Sequence, residues 1–386
     1  MYPTISDLIL DLTGLNIPLP IQSFGFMLAI SFICAAYTLT LELKRKEQLG
    51  IFKPIETKEL IGEKITTMEL IIAFVIGFFI GYKLLYALMN YREFVADTQS
   101  ILLSSQGSLA GGFIGGAISA YLKYSDKKKH ELEKPEWRTR MIHPYEMVGT
   151  ITMVAAFSGL IGAKIFHNLE NLDDFSRDPW GSLISFSGLT MYGGLIVGGA
   201  GVIWYVMKYG MNPFHFADAT APGLMLAYGT GRIGCQISGD GDWGVVNTAP
   251  KPDWLSFLPD WFWSYQYPHN VLNAGVDIPG CVGPHCSMLP EPVWPTPLYE
   301  ALVCITLFFV LWSFRHRFTT PGLMFSTYLI LNGVERFFIE KIRVNTKYHI
   351  AGHEITQAEI ISVVLIVLGV AGVIYFKRRR AASNLS

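Results

Sequence analysis

Arg336, Glu340 and Arg343 stand four and then three residues apart in the segment NGVERFFIEKIR. At about 100° per residue that spacing puts them on one face of a helix. The residues around them are largely apolar, and an ionisable group inside a membrane helix costs roughly 2.5–3.5 kcal/mol on insertion scales, so it points to function and to a partner. A carboxylate between two guanidiniums can orient both and leave a net positive site. A helix end whose long side chains reach the headgroups would explain Arg343 more readily than Arg336, which lies about two turns deeper.

Two further segments carry polar groups where apolar ones are expected. In YGTGRIGCQISGDGDWG, Tyr228 to Gly244, glycines 229, 231 and 234 allow a bend and a close ligand approach. Arg232 offers a planar fork suited to a phosphate diester, and Asp240 and Asp242 follow. In SGLTMYGGLIVGG, Ser187 to Gly199, Tyr192 precedes the Gly193–Gly194 pair. A tyrosine of the interfacial aromatic belt is the competing reading there.

The elements that must position these groups are membrane spans. The chain has 386 residues, 51% hydrophobic and 16% charged, with a formal net charge of −1, far more apolar than an ordinary soluble domain. A span needs roughly 20 mostly apolar residues. The apolar runs predict an all-α polytopic protein, a single transmembrane domain over 1–386 with about nine helices, at 21–41, 68–90, 106–124, 146–168, 187–208, 217–237, 297–314, 322–341 and 358–376. The first run is expected to be retained, since the preceding residues lack the basic region of a cleavable signal. Basic clusters at 44–64, 127–140, 315–317 and 377–380 fall on one side of this arrangement, while the long loop 240–296 carries only Lys251. Short cytoplasmic loops are rich in Lys and Arg, so the N-terminus is expected outside and the C-terminus inside. The loop 240–296 then forms an outer, periplasmic surface loop or small cap. It is rich in Trp, and Cys281 and Cys286 within it could form a short disulfide if the compartment is oxidising. Nothing suggests nucleic-acid binding.

One hairpin looks duplicated, the segment 66–124 resembling 146–208. Gly81 to Asn90 aligns with Gly162 to Asn171, pairing Lys83 with Lys164 and Asn90 with Asn171. One residue out of phase, Gly111, Gly112, Ile114 and Gly116 then align with Gly193, Gly194, Ile196 and Gly198, and Ala110 with Tyr192. Small residues packing helices closely would give a similar pattern without duplication. The three polar segments converge at the outer face, where a phospholipid headgroup would lie. A transporter more often places its site at the midplane between inverted repeats.

In this order the blocks SGLTMYGGLI, FADATAPG around Asp218, GRIG around Arg232, PTPLYEA around Tyr299 and Glu300, and NGVERFFIEKIR make the chain similar to the bacterial phosphatidylglycerol–prolipoprotein diacylglyceryl transferases. The resemblance covers about 146–376 well. That family commonly has seven spans, so a duplicated hairpin brings the count to nine. It implies an enzyme of the bacterial inner (cytoplasmic) membrane with its active site toward the periplasm. The implied reaction moves the diacylglyceryl group of phosphatidylglycerol to the lipobox cysteine thiol of a prolipoprotein signal peptide and releases glycerol phosphate, with no metal or other cofactor. The resemblance makes Arg232, Arg336, Tyr192 and Asp240 the catalytic candidates. Gly193, Gly194, Gly231, Gly234, Tyr299, Glu300, Glu340 and Arg343 become candidates for holding substrate. The chain departs from the family where Tyr192 replaces the usual His, where Cys235 and Gln236 replace an Asn, where Trp294 replaces a His, and where GDGDWG is one residue longer. Tyrosine is a poor base at an unperturbed pKa near 10, which makes Asp240 the alternative, with His167 a weaker one. A lipid or solute transporter and a catalytically silent relative that binds lipoprotein signal peptides are the competing functions.

Overall fold

A computed structural model describes residues 1–184, 190–345, 347–350 and 353–383. Its helices are α1 (Ile5–Thr13), α2 (Ser23–Gln48), α3 (Thr67–Met89), α4 (Tyr91–Ala96), α5 (Thr98–Leu103), α6 (Leu109–Lys129), α7 (Val148–Glu170), α8 (Leu172–Arg177), α9 (Pro179–Ile184), α10 (Met191–Lys208), α11 (Pro213–Ser238), α12 (Thr296–Phe314), α13 (Leu323–Glu340) and α14 (Gln357–Ser383). Strands are short: β1 (Ile55–Ile61) with β2 (Glu136–Ile142), β3 (Val276–Asp277) with β4 (Ser287–Met288), and β5 (Lys347–Ile350) with β6 (His353–Thr356), each a two-stranded sheet. Among the described residues nine helices reach 18 residues, namely α2, α3, α6, α7 and α10 to α14. Six segments, built on α2, α3, α7, α10, α12 and α14, are both long and apolar enough to cross a membrane. The chain is a multi-pass membrane protein. The three long helices outside those six include α11, where Arg232 lies among glycines and small polar residues, and α13, which carries Glu335, Arg336 and Glu340.

The chain divides into two compact units: one of residues 1–3, 23–55 and 143–386, and one of residues 4–22 and 56–142. In the first, α11 packs against α2, α12 and α13; α13 packs on α14, and α10 on α7. Small residues bring α11 close to its neighbours. A Cβ at Gly234 would stand 2.9 Å from the Met27 side chain, and one at Gly229 would meet the Cys304 side chain at 3.1 Å. Helix α11 opens with Asn212 as N-cap and Pro213 in its first turn, and closes on Gly239 at φ 65°, a left-handed cap that glycine adopts without cost. Buried Asp218 on α11 accepts backbone N–H bonds from Gly322 (2.8 Å) and Phe325 (2.8 Å) and so caps the start of α13. Such a cap satisfies amides that the first helical turn leaves open.

The second unit is built on the α3–α6 pair. Its internal geometry repeats that of α7–α10. Asn90 and Asn171 end their helices with the side-chain amide donating to Tyr86 O (3.0 Å) and His167 O (2.9 Å) respectively. Asp97 and Asp178, between the short helices, have φ/ψ of −143°/81° and −141°/82°. Backbone bonds Ser108 N to Tyr82 O (2.9 Å) and Thr190 N to Ala163 O (3.1 Å) occupy corresponding places. Added Cβ atoms at Gly81 and Gly162 would overlap the carbonyls of Gly111 and Gly193, so the same glycine pairs set the same close approach.

Within the segment 240–296, read from sequence as a surface loop or small cap, Tyr267, Leu289 and Val293 form a hydrophobic cluster. Trp254 and Phe257 in that segment remain exposed. Cys281 and Cys286 are joined by a disulfide.

Candidate functional site

Arg232 on α11, Arg336 on α13 and Arg343 just beyond α13 converge on Glu300 near the start of α12. Glu300 has no exposed surface. Its carboxylate pairs with Arg336 Nη1 at 3.0 Å, with Arg343 Nη1 at 3.1 Å and with Arg232 Nε. Asp242 bridges a different pair, its Oδ2 on Arg232 Nη1 and its Oδ1 on Arg343 Nη2. Glu340 pairs with Arg336 at 3.2 Å and accepts from Asn345 Nδ2 at 2.6 Å. Tyr228 closes the inner side, its ring centroid 5.1 Å from the Arg232 guanidinium and its hydroxyl 3.5 Å from Glu300.

Backbone pairing of three elements that are far apart in sequence holds this cluster. Gly244 N donates to Trp294 O (2.8 Å), Trp294 N to Val245 O (3.1 Å) and Val245 N to Ile342 O (2.8 Å), while Thr296 Oγ1 donates to Asp242 O (2.7 Å). The pairing explains one departure from the sequence reading. Helix α13 ends at Glu340, and Gly244 bridges Arg343 as an isolated β contact, so Arg343 does not continue the helical face. Glu340 therefore orients Arg336 alone, and Arg343 takes Asp242 and Glu300 instead.

Tyr192 sits in the first turn of α10 and interacts electrostatically with Arg336, Glu340, Arg343 and Arg232. The residues before it, Ser187 to Leu189, lie outside the described residues. Asp240 stands beside the Cys235 thiol and close to Asp242, from which Gly241 separates it in sequence. Burial first, then the Asp242 charge, push the Asp240 carboxyl above its ordinary value, against the hydrogen bond from Cys235. Asp242 moves the other way: burial opposes its charge, but the Arg232 and Arg343 guanidiniums hold its carboxyl below the ordinary range. Ligand atoms of Cys235, Asp240 and Asp242 come within 4.8 Å of one another. Two guanidiniums already pair with Asp242, and their charge opposes a cation there.

The remaining candidates play other parts in the geometry. Tyr299 Oη donates to Phe262 O (2.7 Å), tying α12 to the 240–296 segment rather than to the arginines. Gly193 and Gly194 face α7, and Gly234 faces α2. Gly231 also looks toward α2, with Ser31 Oγ the nearest atom to an added Cβ, at 3.7 Å. All four lie against neighbouring helices. Trp294 stacks edge-on with Trp263 at 4.6 Å, and Gln236 accepts from Tyr267 Oη at 2.8 Å. His167 lies 3.3 Å from the Asn171 amide at the end of α7. Sequence reading passed over the bridging role of Asp242, the ring of Tyr228 and the buried carboxyl of Glu335, which has no hydrogen-bond partner among the described residues. The extra residue in GDGDWG was the available signal for Asp242. Tyr228 and Glu335 had none beyond adjacency to the polar segments.

The chain is also similar in sequence to known proteins. The family model described as prolipoprotein diacylglyceryl transferase matches residues 12–136 and 129–375. A phosphatidylglycerol–prolipoprotein diacylglyceryl transferase of Leptospira interrogans is 24% identical over 324 residues, covering 70% of this chain and 90% of that protein. Proteins of the same name from Streptococcus agalactiae (27% over 227 residues, 58% of this chain and 77% of the relative) and Dehalococcoides mccartyi (26% over 243 residues, 62% and 81%) are also similar.

Proposed function

Because the chain belongs to the prolipoprotein diacylglyceryl transferase family, we propose that it transfers the diacylglyceryl group of phosphatidylglycerol to the lipobox cysteine thiol of prolipoproteins. The observation that carries this reading is the convergence of Arg232, Arg336 and Arg343, from segments far apart in sequence, on shared carboxylates. In the reaction the thiol loses its proton and its sulfur forms a C–S bond to a glyceryl CH₂. The C–O bond to phosphate breaks, and glycerol phosphate departs with the electron pair. Developing charge on the phosphate is what fixed guanidiniums stabilise. Arg232 and Arg336 bind it, Glu340 orients Arg336, and Arg343 completes the cationic wall. Asp240, beside the Asp242 bridge, is the favoured proton acceptor, and Tyr192 is placed to position substrate against the arginines.

The test is transfer from labelled phosphatidylglycerol to a lipobox peptide by the purified protein. Arg232→Ala and Arg336→Ala are each expected to lose about 10²–10³ in rate, the scale for removing a charge-stabilising donor. Full activity in both variants would remove the assignment, and thioether product from the wild type excludes a silent signal-peptide binder.

The reading places the protein in the bacterial inner membrane, with nine spans, its N-terminus outside and the site toward the periplasm. The basic clusters support that orientation, and a disulfide in the cap fits an oxidising compartment. Hairpin 66–124 is read as a duplicate of 146–208. The repeated cap and glycine geometry supports this, as do the two family-model matches, each containing one hairpin, and the seven long helices of the first unit.

A further inference from the structure

The arginine cluster carries no surplus positive charge. Arg232, Arg336 and Arg343 are matched by Asp242, Glu300 and Glu340, with the carboxyls of Asp240 and Glu335 close by. A phosphate diester brings one more negative charge into a desolvated site, where unbalanced charge is costly. Exchange for a carboxylate keeps the site's charge balanced. Glu300 is shared by three guanidiniums and has no exposed side-chain surface. Glu340 is equally enclosed and held by Arg336 and Asn345. Asp242 alone of the three keeps exposed side-chain surface, 28%. Its two oxygens each contact a different guanidinium, as the two non-bridging oxygens of a phosphate diester would. Its backbone is fixed through Thr296 and Gly244, so rotation of one short side chain is enough to free the place.

The geometry points to Asp242 as a displaceable counter-ion that occupies the phosphate position of the resting site and exchanges with the phosphate of the incoming phospholipid. This rests on the transferase reading and refines it by adding Arg343 to the phosphate-binding arginines: Arg232 and Arg343 pass from carboxylate to phosphate beside Arg336. Asp242 thereby lowers the site's affinity for phosphate, both that of the substrate and that of the departing glycerol phosphate, and so favours product release. A purely structural aspartate would have the opposite effect, because its loss would loosen both arginines and weaken phosphate binding.

The experiment measures inhibition of transfer by glycerol 1-phosphate in the full-length, detergent-solubilised protein. Asp242→Asn and Asp242→Ala both remove the competing charge and are expected to tighten inhibition by about 10- to 100-fold, the worth of one charged hydrogen-bonded contact, and to lower the KM for phosphatidylglycerol. Inhibition that is unchanged or weaker in both overturns the proposal. Absence of thioether product from the wild type would instead overturn the transferase reading. If neither variant is recovered folded, infrared difference spectra of wild-type protein carrying ¹³C-carboxyl aspartate decide. Saturating glycerol 1-phosphate should shift a labelled carboxylate band, and an unshifted aspartate region overturns the exchange.

Discussion

Two aspartates separated by one glycine have opposite proton affinities. Asp242 is held ionised by Arg232 and Arg343, while burial and that neighbouring charge make Asp240 easier to protonate. If Asp240 takes the thiol proton, its ionised form is the working one, and transfer falls as pH drops through its raised pKa. The acid limb of the rate profile is therefore expected above the range of an unperturbed aspartate. Asp240→Glu should keep such a limb, and Asp240→Asn should lose it together with about 10²–10⁴ of the rate. An Asp240→Asn protein at full rate would move the base role elsewhere, with Tyr192 next in place. Glu300 shows why residue type alone was ambiguous. Its position in PTPLYEA suggested a group for holding substrate, whereas in the fold it is an internal anion that fixes three guanidiniums and has no exposed surface.

At the scale of elements, long apolar runs were legible because a span must satisfy its own backbone and present apolar side chains around its circumference. Helix ends were less so. The spacing of Arg336, Glu340 and Arg343 fits one helical face, but α13 stops at Glu340 because the next residues pair with the 244–245 strand-like segment. Gly193 and Gly194 were recognisable as close-approach residues without showing what approaches, and in the fold it is α7. Overpacking at such a contact costs roughly 1–3 kcal/mol or more. Gly162→Leu, whose side chain would meet the Gly193 carbonyl and Val197, is expected to destabilise α7–α10 on that scale. Gly199→Leu on the same helix, with nothing within 4 Å of the added Cβ, should unfold near the wild-type temperature. Thermal unfolding in detergent followed by tryptophan fluorescence checks both, and equal melting of the two variants would contradict the packing argument.

For the whole molecule, the basic clusters and the 240–296 segment make the orientation testable. Phe257 is 77% exposed in that segment, and Arg378 lies near the end of α14. Phe257→Cys is expected to react with a membrane-impermeant maleimide in spheroplasts, and Arg378→Cys only after the membrane is opened; the reverse pattern would invert the topology. What the sequence by itself determined is the solvent, the apolar runs, the repeated glycine pattern and the arginines that must find partners. These follow from composition and from the fixed helical period, which are local properties. Which carboxylate meets which arginine was decided only by the tertiary structure. Asp242 and Arg343 are about a hundred residues apart, and the helical period tells which face a side chain shares, not which neighbour is packed against it. Charge balance within the site is a property of that packing, and it turns an apparent surplus of arginine into a neutral cluster with one carboxylate that can give way.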